Sequence, residues 1–241
     1  MAEKALEVND LAVSFGEDVI LKNLSFEVFK GESVAIIGPN GSGKTTLFKC
    51  LINSISYKGN VKWSEGVRLG YVPQRIDLER SLTITLKDFL DLKCDIAHLS
   101  RNHVFEALKL VHLHTDKLSR PLSKLSGGEL QRALIAFAMI GDANVLLFDE
   151  PTSGIDLPGE EQIYQTLHHL QDEKGFTLIF ISHDLNLVSR YADKVICLNK
   201  SLSCVGDPQS TLTPEILDKL YGSRVMHHLH DLDKSFNNHS A

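Results

Sequence analysis

The chain contains the stretch GPNGSGKTT, residues Gly38 to Thr46, which satisfies the pattern G-x-x-x-x-G-K-[ST]. Gly38, Gly41 and Gly43 free the backbone to wrap phosphate oxygens, and Pro39, Asn40, Ser42 and Thr46 complete a loop whose successive N–H groups make a nest for an anion. Lys44 adds a positive charge for the β- and γ-phosphates, and the Thr45 hydroxyl can ligate Mg²⁺. A second chemical group ends the apolar run VLLFDE, where Asp149 can hold Mg²⁺ through water and Glu150 can polarise a water that attacks a γ-phosphate. Carboxylates often end strands, so the pair gains its meaning from the phosphate loop. His183, just past FTLIFIS, is placed to meet the same phosphate, although a histidine after a strand is commonly a plain loop residue. Gln74 in YVPQR carries an amide that could reach metal and water together, or could simply be solvated.

The stretch LSGGELQR, Leu125 to Arg132, raises a different question. Ser126 and Glu129 form the S-x-x-E capping box ahead of an apolar run, which explains a helix start. It does not explain Gly127 and Gly128, because glycine in a helix costs about 1 kcal/mol relative to alanine. Adjacent glycines suit a backbone that something approaches closely, and a helix N-terminus offers N–H groups and a positive dipole end to an anion.

The elements that must position these groups follow from periodicity. SVAIIG, NVLLFDE and FTLIFIS are short runs, almost wholly apolar, as expected of strands buried on both faces, and each precedes helix-like sequence. The expected fold is α/β, a phosphate-loop core with a mostly parallel sheet. LEVNDLAVSF and VILKNLSFEV alternate like two antiparallel strands, so an N-terminal antiparallel layer is expected as well. From about residue 82 to residue 140 the pattern is helical, with Val104, Leu108 and Val111 at helical spacing, which reads as a helical subdomain inserted into one domain with its core at 1–81 and 141–222. Short strand-like pieces follow Val195, then a helix from about Pro214 to Tyr221, then a polar tail at 223–241.

Bulk composition narrows the partners. A net charge of -6 argues against nucleic acid, whose binders usually show a basic surface. No run approaches the roughly 18 apolar residues of a spanning helix, and MAEKALEVND lacks the apolar segment of a signal peptide, so a cytosolic chain is expected. Cys50, Cys94, Cys197 and Cys204 are scattered without a C-x-x-C pair, which favours reduced thiols over a disulfide framework or zinc cluster.

Taken in order, Phe15, the phosphate loop, Gln74, LSGGELQR, VLLFDEP, SGID at Ser153 to Asp156, and His183 resemble the nucleotide-binding subunit of ABC transporters over nearly the whole chain. The resemblance implies ATP and Mg²⁺ as cofactors, with Thr45, Gln74 and Asp149 around the metal and Glu150, Gln74 and His183 in catalysis. It implies that Phe15 stacks on adenine, where the family often has tyrosine, and that Asp156 lies at a dimer seam. It implies a head-to-tail homodimer in which Ser126, Gly127 and Gly128 of one subunit grip the ATP held by the phosphate loop of the other. Gln74 would connect the nucleotide to the helical subdomain, which docks on an integral-membrane permease. The segment GNVKWSEGVRLGYVPQRIDLERSLTITLKDFL resembles the zinc and manganese importer branch, with Thr83 where proline is often found. That branch implies an importer at the cytoplasmic face of the membrane, fed indirectly by a periplasmic or extracellular metal-binding protein. Zinc is the first expectation, and manganese or iron the alternative. A soluble ABC ATPase of DNA repair or translation is the alternative of a different class, although such proteins usually carry a long coiled coil or two cassettes. The tail adds His227, His228, His230 and His239 beside Asp231 and Asp233, either zinc ligands or incidental residues of a flexible end.

Overall fold

The structure is a computed structural model and describes residues 2–74, 83–150 and 157–222. The chain runs through β1 (Lys4–Phe15), β2 (Asp18–Phe29), β3 (Ser33–Ile37), α1 (Lys44–Leu51), β4 (Lys58–Trp63) and β5 (Leu69–Val72). Next come α2 (Leu86–Ile96), α3 (Asn102–Leu110) and α4 (Gly127–Met139), with two single-turn 3₁₀ segments, Thr115–Lys117 and Leu122–Lys124, between α3 and α4. The remainder is β6 (Val145–Asp149), α5 (Leu157–Lys174), β7 (Thr177–Ile181), α6 (Leu185–Tyr191), β8 (Lys194–Asn199), β9 (Ser201–Gly206), α7 (Pro208–Thr211) and α8 (Pro214–Tyr221).

Two sheets result. β2, β1 and β4 form an antiparallel layer in that order. The other sheet has the order β5-β6-β7-β3-β8-β9, parallel throughout except for the antiparallel β8–β9 hairpin at its edge. The fully buried strands β3, β6 and β7 are the three apolar runs of the sequence, and their side chains divide between two cores because successive residues face opposite sides. Val34, Ile36, Val145, Leu147, Ile179 and Ile181 pack with Leu47 and Phe48 of α1 and with the antiparallel layer. Ala35, Ile37, Leu146, Phe148, Leu178 and Phe180 face the other way, and their core runs without interruption into Leu90 of α2, Val104 and Leu108 of α3 and Leu134 of α4.

β3 and β6 end where α1 and the paired carboxylates begin, so the two chemical groups leave the same sheet edge, the C-terminal edge at which parallel sheets bind ligands. Among the described residues no helix is long and apolar enough to cross a membrane. One expectation is overturned. Cys197 and Cys204 are seven residues apart in sequence, yet they face each other across the β8–β9 hairpin with Cα atoms 4.8 Å apart and are joined as a disulfide. A tight hairpin brings together two cysteines that sequence spacing alone presents as scattered. Cys50 and Cys94 are free and buried.

Candidate active site

The phosphate loop joins β3 to α1 through backbone conformations that its glycines make possible. Gly38 has φ +154, and a Cβ there would stand 2.0 Å from the carbonyl oxygen of Leu198 on β8. Gly43 has φ +100, and its Cβ would meet Leu21 at 2.5 Å. The loop is held from outside by the N–H of Lys200, which donates to the Ser42 carbonyl at 3.0 Å. Gly43 caps α1 with no side-chain bond, and the first turn carries no acidic residue. The N–H groups of that turn and the positive end of the helix dipole therefore have no built-in anion to satisfy them.

Lys44 is buried, and its ammonium folds back on the loop, donating to the carbonyl oxygens of Gly38 at 2.8 Å and Pro39 at 3.2 Å. Burial holds its pKa below the ordinary lysine value, against the pull of the nearby Glu150 and Asp149 charges. The cation is thus in the loop but bonded to neutral oxygens, which a phosphate can displace.

Glu150 is the point on which the other groups converge. His183 Nε2 lies 2.6 Å from Oε1, Gln74 Nε2 donates to Oε2 at 3.0 Å, and Lys44 Nζ stands 3.7 Å from Oε1. Burial pushes the carboxyl up, but the hydrogen bond and charge of His183 and the charge of Lys44 together outweigh it, so Glu150 sits below the usual glutamate value and is ionised at neutral pH. Its backbone has φ +38, a left-handed conformation that costs a non-glycine residue energy and concentrates at functional sites. That left-handed residue follows directly on Asp149, where β6 ends.

Asp149 is 1% exposed. Among the described residues its side-chain hydrogen bonds are long ones, 3.4 Å from the Thr45 hydroxyl and 3.4 Å from the Tyr71 hydroxyl. Burial and the neighbouring Glu150 charge raise its pKa from 3.8 to about 6. A buried anion so poorly compensated is suited to receive a cation. The donors available are a carboxylate, the Thr45 hydroxyl and the amide oxygen of Gln74, whose nitrogen is already engaged, and such oxygen donors fit Mg²⁺. Sequence reasoning missed Tyr71, because a tyrosine inside a short strand carries no signal until β5 is known to lie beside β6.

Ser126 to Gly128 behave differently from the rest. Ser126 caps α4 in a reciprocal box with Glu129, whose carboxylate is held at about 2 chiefly by the hydrogen bond from Lys117 and also by the Ser126 N–H. Among the described residues the polar partners of Ser126 are all within its own helix start. A Cβ added at Gly128 would meet nothing within 4 Å. No described residue of this chain therefore needs the glycine there, and the free space opens outward. Phe15, at the end of β1, is 58% exposed, an unusual position for a large aromatic. Asp156 and the tail histidines His227, His228, His230 and His239 lie outside the described residues. Among the described residues no cluster of three or more His, Cys, Asp or Glu is placed to hold a metal ion.

A phosphate loop after a central parallel strand, with paired carboxylates ending a neighbouring strand of the same sheet, defines a P-loop nucleoside-triphosphate-binding domain. The family model described as ABC transporter matches residues 21–153. The zinc import ATP-binding protein ZnuC of Jannaschia sp. (strain CCS1) is 39% identical over 219 residues, covering 90% of this chain and 88% of that protein. A chain of an inward-facing ABC transporter described as of the metal-chelate type superposes with a TM-score of 0.81 at 27% identity, covering 91% of this chain and 89% of its own. The dimeric bacterial ABC transporter cassette MJ0796 does so with a TM-score of 0.73 at 25% identity, covering 84% and 98%. The chain belongs to the ABC transporter family.

Proposed function

We propose that the chain is the ATP-hydrolysing subunit of an ABC importer for a divalent metal, with zinc as the cargo. The convergence of Lys44, Gln74 and His183 on Glu150, one residue from the under-compensated Asp149, carries the hydrolytic part of this reading. The cargo rests on the relative named as a zinc import protein.

In this reading the loop from Gly38 to Thr46 and the open N-terminus of α1 bind the phosphates of ATP, and Phe15 stacks on adenine. Thr45, Gln74 and Asp149 would hold Mg²⁺, which would supply positive charge at the phosphates. Lys44 leaves the carbonyls of Gly38 and Pro39 for the γ-phosphate, and His183 turns from Glu150 to the same phosphate. Glu150 thereby loses the donors that depress its proton affinity, and it becomes a stronger base at the moment a water needs deprotonating. The water attacks phosphorus, its proton passes to Glu150, and the bond to the β-phosphate oxygen breaks to give ADP and phosphate.

The outward space at Gly128 supports a head-to-tail homodimer in which Ser126, Gly127 and Gly128 complete the partner's site, as does the dimeric state of MJ0796. Asp156 would lie at the seam of that dimer. The dimer would drive an integral-membrane permease from the cytoplasmic face, with a metal-binding protein delivering cargo from the other side. Zinc, manganese and iron uptake by a strain lacking the chain, with co-purification of a permease, tests the reading. Loss of zinc uptake alone supports it. Normal uptake of all three metals and no membrane partner would point to a soluble ABC ATPase instead.

A further inference from the structure

We infer that Lys117 is a positioning residue for the contact between two subunits: its ammonium neutralises Glu129 beside Ser126, so that the start of α4 presents no bare carboxylate to the ATP of a partner. The inference rests on the proposed head-to-tail dimer and adds the charge balance at its seam.

The first turn of α4 serves two ends that conflict. Its own stability favours an acidic residue at Glu129, which accepts the Ser126 N–H at 2.9 Å and completes the capping box. A triphosphate arriving at the same helix end is repelled by that charge. Ser126 and Gly127 are exposed, and Gly127 and Gly128, the first residues of the helix, have N–H groups with no acceptor inside it. The donors that a phosphate needs therefore lie within one helical turn of an ionised glutamate.

Lys117 resolves the conflict. Its Nζ lies 2.8 Å from Glu129 Oε1 while the Ser126 N–H engages Oε2, so both carboxylate oxygens are taken by partners within this chain. The Lys117 side chain is 20% exposed and that of Glu129 24%, and an ion pair so sheltered is screened less by salt than a loose surface pair. The backbone that delivers Lys117 is fixed as well. At the start of α2 the Lys87 N–H donates to the Leu118 carbonyl at 2.9 Å and the Leu86 N–H to the Arg120 carbonyl at 2.9 Å, while the Leu122 N–H donates to Ile84 at 3.0 Å. The turn Thr115–Lys117 is thereby tied to α2, and the lysine reaches from it to α4. Backbone bonds of this kind accept any side chain. The choice of lysine is explained by Glu129.

The test measures ATP-driven association by sedimentation velocity, in the full chain carrying Glu150→Gln so that bound ATP is turned over slowly. To that parent are added Lys117→Met, Lys117→Arg, Glu129→Gln, and Lys117→Met together with Glu129→Gln; glutamine keeps the capping box without the charge. Calorimetry with MgATP on the monomer and thermal unfolding accompany each variant. A charge at a helix N-terminus is worth roughly 2- to 5-fold per contact, and a head-to-tail dimer has two such contacts, so Lys117→Met should weaken dimerisation by about 3- to 30-fold. The ATP affinity of its monomer should be unchanged, and Lys117→Arg should associate like the parent. The paired variant should associate as well as Glu129→Gln alone, because neither leaves a carboxylate to neutralise. A lysine that merely braced its loop would leave the paired variant as weak as Lys117→Met, and that result overturns the inference. Parent-like association of Lys117→Met overturns it too. Should Lys117→Met not fold, Lys117→Gln takes its place with the same expectations. If the parent itself stays monomeric with ATP, the head-to-tail reading falls and this inference with it; if the parent dimerises and Lys117→Met does so equally well, only the role of Lys117 falls.

Discussion

Replacing Asp149 by asparagine should make the free protein more stable while removing a carboxylate proposed to hold Mg²⁺. The carboxylate is buried, its two hydrogen bonds among the described residues are both 3.4 Å long, and its pKa rises from 3.8 to about 6 because of burial and the Glu150 charge. A folded value above the unfolded one means that the native state holds the proton more tightly. Stability from this group is therefore fully present below pH 3.8 and is lost as pH rises through about 6. At 1.36 kcal/mol per pH unit the loss above pH 7 comes to about 3 kcal/mol, and at pH 5 to about half of that. An asparagine side chain would keep the shape and carry no charge, so Asp149→Asn should regain this energy. In a protein of this size, about 3 kcal/mol corresponds to a rise in Tm of roughly 6 to 12 °C. Thermal unfolding of both proteins without nucleotide or divalent metal, at pH 8 and pH 5, measures it. The gain should shrink at the lower pH, and Mg²⁺-dependent hydrolysis should be lost. A variant that melts at or below the wild-type temperature at pH 8, or a gain that does not vary with pH, would refute the account of Asp149 as an uncompensated buried charge.

Three further outcomes follow from the site. Lys44→Ala should abolish measurable MgATP binding by calorimetry, because the loop loses the cation that its carbonyls hold in reserve. Glu150→Gln should bind ATP yet hydrolyse it ~10²- to 10⁴-fold more slowly, the range for removal of a general base, and should accumulate as an ATP-bound dimer in size-exclusion chromatography. Hydrolysis at the wild-type rate would remove Glu150 from that role. Ser126→Arg should leave ATP affinity of the monomer intact while stopping hydrolysis, since the described polar partners of Ser126 lie within its own helix start; an equal loss of affinity in the monomer would place α4 in the same-chain site.

The central sheet was legible because β3, β6 and β7 are buried on both faces and so must be apolar at every position, a pattern that few other elements produce. β4 and β5 were not separately legible. KGNVKW leaves four of its six positions exposed, and LGYV is short and includes a glycine. The phosphate loop could be read locally, since its chemistry lies within nine consecutive residues. Gln74, Glu150 and His183 were weak signals one at a time, because their meaning is a meeting point that only the sheet order creates. The left-handed turn at Glu150 has no sequence mark at all, and neither does the Cys197–Cys204 pairing, which depends on a hairpin register.

The hydrophobic core that joins Leu90, Val104 and Leu134 to Phe148 and Phe180 has a consequence for how the molecule fails. Helices α2 to α4 share their buried surface with the face of the sheet behind the carboxylates, so they cannot come apart and leave that face intact. Opening them exposes Phe148 and Phe180 to water, which removes the support beneath β6 and β7 at once. Cooperativity then spans the whole interior, and calorimetry should record a single endotherm rather than two. In a cell, damage anywhere along this seam would raise the population of globally unfolded chain that proteases remove, so a half-folded cassette that still consumed ATP would have little chance to persist.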